Sequence, residues 1–272
     1  MPPQQHRMPA YGSVRRYNSS MSPNLFIVGN WKMNPRTLEE AKEIFSGIRK
    51  SALRAKHVHV IIAPPAPFIF PLASKKGPIA FGIQDIATAA GGAHTGGISA
   101  DMARSVGVHY AIVGHSECRA AGDTDEVVAE KFLRAVEARL IPILCVGEKK
   151  RDQDGDYFSE ISRQIASVLK PATKIRAPRF IVAYEPVWAV GGSYDSALSP
   201  EEMRAMAIFI KKTCAQYISK EKAMKLGVLY GGSVSSDNAP AMLREGGING
   251  LLIGRQSLDP ERFAEIIKLA RA

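Results

Sequence analysis

The sequence predicts an α/β protein built as a (βα)8 barrel, in which a closed sheet of eight parallel strands is surrounded by helices. Short apolar runs alternate with longer segments of helical period. The runs are continuously apolar, which is typical of parallel strands that are covered on both faces. Eight such runs separated by helices fit a closed barrel better than an open sheet. The predicted strands are 25–29, 59–63, 79–83, 110–113, 141–146, 180–183, 227–230 and 250–253.

Helical periodicity fills most of the segments between these strands. Thr37 followed by Glu40, and Ser199 followed by Pro200 and Glu202, are typical helix starts, because a hydroxyl can cap the first free N–H groups. The predicted helices are 37–49, 99–106, 125–139, 157–170, 200–219, 239–245 and 260–269.

Length and composition fit one such barrel after a short tail. The chain has 272 residues, of which 46% are hydrophobic and 23% charged, and a barrel of this type takes about 250. No apolar run approaches the ~18 residues of a membrane-spanning helix. Three cysteines exclude a disulfide-stapled fold. We expect residues 23–272 to form a single catalytic domain that has no membrane partner.

Residues 1–22 differ in composition from the rest. The first twenty contain Arg7, Arg15 and Arg16, no acidic residue, and many Pro, Gln, Ser and Asn residues. One interpretation is a disordered tail or an upstream start, and the other is a mitochondrial transit peptide. The prolines disfavour the amphipathic helix of a transit peptide, so the tail interpretation and a cytoplasmic location are preferred.

The chain carries a formal net charge of +10, from 36 basic and 26 acidic residues. An excess of positive charge suggests a nucleic-acid or anionic partner. However, no RNA-binding aromatic motif, zinc-ligand spacing or basic helix stands out, so we expect no nucleic acid. Three of the positive charges lie in the tail. The remaining net positive charge belongs to the predicted barrel and is consistent with binding of a small anionic ligand.

Polar side chains and glycine turns directly follow five of the predicted strands. The carboxyl ends of all strands meet at one rim of such a barrel, where its active sites lie. Glycine turns expose N–H groups that can bind phosphate, and a glutamate beside a histidine and a lysine suits proton abstraction next to a carbonyl. Each residue alone has a structural alternative, but their joint placement favours an active site. The segments are Gly29-Asn30-Trp31-Lys32, Gly114-His115-Ser116-Glu117, Glu185-Pro186-Val187-Trp188, Gly231-Gly232-Ser233 and Gly254-Arg255.

At these segments the sequence resembles the triosephosphate isomerase family, in family order and spacing from about Leu25 to the C-terminus. The resemblance implies a TIM barrel, a homodimer, no cofactor and no metal. It also implies interconversion of glyceraldehyde 3-phosphate and dihydroxyacetone phosphate through an ene-diolate, a step of glycolysis and gluconeogenesis. The matching segments are Gly29-Asn30-Trp31-Lys32-Met33-Asn34, Val113-Gly114-His115-Ser116-Glu117, Cys145-Val146-Gly147-Glu148, Ala183-Tyr184-Glu185-Pro186-Val187-Trp188-Ala189 and Tyr230-Gly231-Gly232-Ser233-Val234.

The resemblance also implies the catalytic roles. Glu185 would be the base that moves a proton between adjacent carbons, and His115 would be a neutral electrophile at the substrate oxygens. This family is itself the standard illustration of that pair, so the two roles come from the resemblance. Lys32 would stabilise the ene-diolate charge with Asn30 beside it. Glu117 would support the cluster from behind.

Phosphate binding and a lid are carried over in the same way. Gly191, Ser233, Gly254 and the backbone N–H of Arg255 would hold the phosphate. The lid would close over the site and exclude water, which protects the ene-diolate from losing its phosphate. Its residues would be Pro186, Val187, Trp188, Ala189, Val190 and Gly192.

The sequence departs from the family pattern at the second lid hinge, Tyr194-Asp195-Ser196, and at Gly254-Arg255, where the family has two glycines. The Gly-Arg turn resembles paralogues that isomerise L-erythrulose 1-phosphate or D-erythrulose 4-phosphate. Sequence drift in an enzyme that acts on a three-carbon substrate would explain the arginine equally simply. We prefer the three-carbon substrate. A catalytically idle binding paralogue is a third alternative, and the intact Lys32, His115 and Glu185 argue against it.

Two further departures fall where the family forms its dimer. Gly97 and Cys118 replace a Glu and an Arg that pair across that interface. Loss of both leaves no unpaired buried charge, so we expect the interface to persist with altered packing around His94, Thr95 and Cys118. The loop position of Cys118 beside charged residues predicts a reactive thiol.

Overall fold

The computed structural model describes residues 25–55, 57–74, 77–152, 154–175, 179–189 and 197–270. Eight parallel strands in these ranges form a closed barrel in sequence order, in which the first strand pairs with the last. The predicted fold class, a (βα)8 TIM barrel, is therefore confirmed. The strands are β1 (Leu25–Asn30), β2 (Val58–Ala63), β3 (Ala80–Ile83), β4 (Val108–Val113), β5 (Ile141–Val146), β6 (Ile181–Tyr184), β7 (Gly227–Tyr230) and β8 (Gly250–Ile253).

Helices connect these strands on the outside of the barrel. Within the described ranges they are α1 (Leu38–Ala52), α2 (Ala66–Ala73), α3 (Ala100–Ser105), α4 (Ser116–Ala120), α5 (Asp125–Glu137), α6 (Asp156–Ala172), α7 (Pro200–Cys214), α8 (Lys220–Met224), α9 (Ala239–Glu245) and α10 (Pro260–Leu269). Short 3-10 helices at Val187–Ala189 and Arg255–Leu258 follow β6 and β8.

The apolar side chains form two layers. Phe26, Val28, Ile112 and Leu229 belong to the cluster that fills the inside of the barrel. A larger cluster lies between the strands and the helices. Strands that are buried on both faces need the continuous apolar runs seen in the sequence, and a filled barrel leaves its carboxyl rim as the place for polar chemistry.

Two predicted helix starts are capped as expected. The hydroxyl of Thr37 accepts a hydrogen bond from the N–H of Glu40. The hydroxyl of Ser199 accepts from the N–H of Glu202, whose carboxylate accepts from the N–H of Ser199 in return. Each cap satisfies N–H groups that have no partner within the helix.

Apart from shifts of one to three residues at the ends of elements, the structure differs from the prediction in three places. The eight-residue α2 was missed, since it contains Pro71 and too few turns to show a helical period. The five-residue α4 was missed because it is even shorter. The predicted helix 200–219 ends at Cys214, because the hydroxyl of Ser219 caps a separate helix, α8, by accepting from the N–H of Lys222.

No helix in the part of the chain that the structure describes is long and apolar enough to cross a membrane. The tail at residues 1–22 lies outside the described ranges, so both of its interpretations stay predictions.

Candidate active site

A cavity of about 470 Å³ opens at the carboxyl ends of the strands. Segments that follow β1, β4, β6, β7 and β8 all contribute to it, as the rim argument predicts. Most of the predicted catalytic and phosphate-binding side chains line it, namely Asn30, Lys32, His115, Glu117, Glu185, Ser233, Gly254 and Arg255.

Glu185 and His115 lie next to each other and are almost fully buried, with 2% and 6% exposed. Nε2 of His115 is 3.5 Å from Oε1 of Glu185. The other carboxylate oxygen, Oε2, accepts a hydrogen bond of 3.0 Å from the N–H of Ser116, at the start of α4. The carboxylate is thus held at the edge of the cavity, with one oxygen facing the histidine.

The second ring nitrogen of His115 is also fixed by α4. Nδ1 accepts a hydrogen bond of 3.1 Å from the N–H of Glu117. An imidazole nitrogen that accepts carries no proton, so Nε2 is the N–H donor of a neutral ring. This arrangement lets His115 donate a hydrogen bond to a carbonyl oxygen without carrying a positive charge.

Lys32 is held in a conformation that side chains rarely adopt. Its φ is +53°, a region that costs energy for a residue with a Cβ and is concentrated at functional sites. Asn30 accepts from its N–H at 3.0 Å, and Nε2 of Gln84 donates to its carbonyl at 2.8 Å. The side chain reaches Oε1 of Glu117 at 2.6 Å. Glu117 is therefore in direct contact with the lysine, and its supporting role in the cluster stays a prediction.

The glycine turn after β7 leaves no room for side chains. A Cβ on Gly231 would lie 2.8 Å from Cγ of Glu185, and one on Gly232 would lie 2.3 Å from the hydroxyl of Tyr230. After Gly254 the chain turns into the 3-10 helix Arg255–Leu258, and Ser257 donates to the Gly254 carbonyl from both its N–H and its hydroxyl. Backbone N–H groups are accessible to an anion where side chains are absent.

Comparison with known proteins agrees with this geometry. The family model described as Triosephosphate isomerase matches residues 25–270. A relative of that name from Rhodopirellula baltica is 38% identical over 92% of this chain and 99% of its own length. One from Alkalilimnicola ehrlichii is 38% identical over 90% of this chain and 98% of its own. One from Roseiflexus sp. is 36% identical over 89% and 95%.

The chain belongs to the triosephosphate isomerase family. The recognition from sequence is thereby confirmed, as is the prediction that the protein is an isomerase of this type.

The described part of the predicted lid is anchored by a buried glutamate that the sequence reasoning did not assign a role. Glu148 is 0% exposed, and its carboxylate accepts from the hydroxyl of Tyr184 at 2.8 Å and from the indole N–H of Trp188 at 2.9 Å. Its carbonyl accepts from the N–H of Val187. Val187, Trp188 and Ala189 form a 3-10 helix. Val190, Gly191, Gly192 and the altered hinge at 194–196 lie outside the described residues.

Gln84 and Glu148 share a signal that sequence reasoning could have used. Gln84 directly follows β3, and Glu148 lies two residues after β5, so both meet the same rim criterion that singled out Lys32, His115 and Glu185. The resemblance assigned a role to neither residue, so the criterion was not applied to them.

Neither Asp85 nor the thiols of Cys118 and Cys145 line the cavity. The carboxylate of Asp85 pairs instead with the buried Nζ of Lys131 at 2.7 Å. Burial raises the pKa of the Cys118 thiol to about 11, and the negative charge of Asp85 adds to the effect. The prediction of a reactive Cys118 is therefore wrong, since reactivity requires the thiolate. Cys145 is fully buried in β5, as expected of a core thiol, and burial together with the nearby Glu185 raises its pKa.

Proposed function

We propose that this protein interconverts glyceraldehyde 3-phosphate and dihydroxyacetone phosphate. The observation that carries the proposal is the convergence of Glu185, the neutral His115 and Lys32 in one cavity that Ser233 and Gly254 also line. The family supports isomerisation of triose phosphates. No cofactor or metal is needed for this reaction, because both the proton and the charge are handled by side chains.

The proposed steps assign one task to each group. Glu185 removes a proton from the carbon next to the carbonyl and returns it to the adjacent carbon. His115 donates from Nε2 to the carbonyl oxygen, and takes a proton from the neighbouring hydroxyl, so that the ring is neutral again after each turnover. Lys32 lies beside the oxygens where negative charge develops, with Asn30 holding its backbone.

In the proposed reaction, phosphate binding at the glycine turns orients the substrate relative to the base. N–H groups near Ser233, Gly254 and Arg255 are proposed to hold the phosphate, together with Gly191. Remote binding of this kind fixes the reacting carbons against the base, which is worth several kcal/mol of barrier in general. We retain the proposal that residues 186–192 form a lid over the bound substrate, supported in its described part by the anchoring of Trp188 to Glu148.

A direct assay tests the function. The purified protein would receive glyceraldehyde 3-phosphate and, separately, L-erythrulose 1-phosphate and D-erythrulose 4-phosphate. We expect the highest kcat/KM with the three-carbon substrate and a loss of roughly 100- to 10,000-fold in kcat for Glu185→Gln. The matched control is Glu130→Gln, an exposed position on α5. Faster turnover of a four-carbon substrate would replace the proposed substrate, and no turnover of any would favour a binding paralogue.

We further propose a homodimer. Residues 91–97 form a run of consecutive exposed residues that includes His94 and Thr95, and Met33, next to Lys32, is 92% exposed. The base of this loop is held by Arg134, whose Nε donates to the carbonyl of Thr88 at 2.8 Å. An ordered, projecting loop of small residues suits insertion into a second copy. Sedimentation at micromolar concentration should show a dimer, and a monomer would overturn this proposal.

A further inference from the structure

The side chains that line the cavity carry a formal charge that sums to zero, and they do so only because Arg255 is among them. Lys32 and Arg255 are the cations, and Glu117 and Glu185 are the anions. His115 is neutral, since its Nδ1 accepts a hydrogen bond. Without Arg255 the described lining would contain two carboxylates and one ammonium group, which together repel a dianionic phosphate ester.

The two cations differ in whether they already form an ion pair with a carboxylate of the protein. Nζ of Lys32 lies 2.6 Å from Oε1 of Glu117, so its charge is largely compensated. Arg255 is exposed, and its guanidinium makes no ion pair or hydrogen bond with the described residues, unlike the partly buried Arg119, which pairs with Asp125. Among the lining cations of the described structure, Arg255 therefore has its charge available for a ligand.

Its position in the chain places this charge at the phosphate end of the cavity. Arg255 begins the 3-10 helix that follows β8, directly after Gly254. A Cβ on Gly254 would lie 3.6 Å from Cε of Lys32, so the turn borders the catalytic lysine. The glycine turn after β7 ends at Ser233, which lines the same cavity. A side chain here can reach an anion that the backbone N–H groups hold.

We propose that the guanidinium of Arg255 binds the substrate phosphate directly and draws the dianion into the cavity, in addition to any contact from its backbone N–H. This inference rests on the proposed function. A guanidinium offers two parallel N–H donors that match two phosphate oxygens. An unpaired cation at the mouth of a cavity also raises the association rate of an anion, and salt weakens that effect. Arg255 thus makes this pocket select for a charged phosphate.

Titration with inorganic phosphate tests the inference without requiring turnover. Chemical-shift changes of the protein would give Kd at low and high ionic strength for the parent, Arg255→Ala and Arg244→Ala. Arg244 is an exposed residue of α9 that does not line the cavity, so the two variants lose the same charge. We expect Arg255→Ala to raise Kd about tenfold and to flatten its salt dependence, since charged hydrogen bonds are worth about that factor. Arg244→Ala should bind as the parent does.

Steady-state kinetics add a second readout. In Arg255→Ala we expect KM for the sugar phosphate to rise about tenfold while kcat stays within about twofold, because the lost contact is present in both ground and transition states. Unchanged phosphate binding and KM in Arg255→Ala, or an equal loss in Arg244→Ala, would overturn the inference. Phosphate binding that depends on Arg255 in a protein without isomerase activity would instead overturn the proposed function alone.

Discussion

At the residue scale, two successive backbone N–H groups hold the side chains of Glu185 and His115. The N–H of Ser116 donates to Glu185 and the N–H of Glu117 donates to His115. Both belong to the first turn of α4, immediately after β4. A change in how β4 leads into α4 would therefore disturb the proposed base and the proposed electrophile together.

The backbone of Gly147 lies so close to the backbone of Glu185 that no Cβ fits between them. Replacement of Gly147 should therefore change both stability and rate. A Cβ at this position would lie 1.8 Å from the carbonyl oxygen of Glu185 and 2.6 Å from its carbonyl carbon. Since these are backbone atoms, Glu185 itself must move. We expect Gly147→Ala to lower the free energy of unfolding by at least about 2 kcal/mol and to reduce kcat, as measured by urea denaturation and the isomerase assay.

Gly91→Ala provides the control for that change. A Cβ on Gly91 would meet nothing within 4 Å, so this variant should keep the stability and rate of the parent. If Gly147→Ala had the same free energy of unfolding and kcat as the parent, this would contradict the close approach of the Gly147 and Glu185 backbones.

At the element scale, the loop between β5 and α6 connects the turn after Glu185 to α7. Glu148, at the start of this loop, holds Trp188. Arg151, three residues further on, lies 3.4 Å from Oε1 of Glu202 in the first turn of α7 and 5.0 Å from the ring centre of Tyr157. One loop therefore contacts both the element that carries the base and the helix that follows it.

Arg151→Ala should remove the link to α7. We expect a loss of about 1 kcal/mol in the free energy of unfolding, because a half-exposed ion pair and a cation–π contact are each worth up to about that amount. Urea denaturation would measure it. The control, Lys225→Ala, breaks an exposed pair with Glu221 within α8 and should cause no measurable change. Equal stabilities of both variants would contradict a linking role for Arg151.

The barrel was predictable from sequence because its strands are buried on both faces and its long helices, such as α1 and α6, repeat their apolar positions over several turns. The helices α2 and α4 were not, since eight and five residues are too few to show a period. The candidate site was predictable where a side chain ends a strand, as with Lys32. The donors from α4 were not, because they depend on how two distant segments meet in space.

At the scale of the whole molecule, His109 on β4 links the stability of the fold to pH. Burial lowers the pKa of its imidazole below the ordinary value of 6.5, and the positive charge of Arg104 lowers it further. Just below pH 6.5 the unfolded chain therefore binds more protons than the folded chain. The stabilising contribution is complete above that pH and is lost as pH falls through the lowered pKa.

His109→Gln should weaken this dependence. We expect the fall in the free energy of unfolding between about pH 7 and pH 5 to be shallower than in the parent, because the variant has no proton to take up on unfolding at this position. Denaturation curves across this range would measure the slopes. Change of the exposed His57 to Gln should keep the slope of the parent. An identical slope in the parent and His109→Gln would contradict the effect.

The central claim is that Glu185 moves a proton between two carbons of the substrate. Dihydroxyacetone phosphate incubated with the protein in D₂O tests it, because a base that exchanges its proton with solvent places deuterium on carbon. We predict carbon-bound deuterium in the substrate and product with the parent protein, and incorporation slowed at least about 100-fold with Glu185→Gln. Equal incorporation by the two proteins would contradict the account.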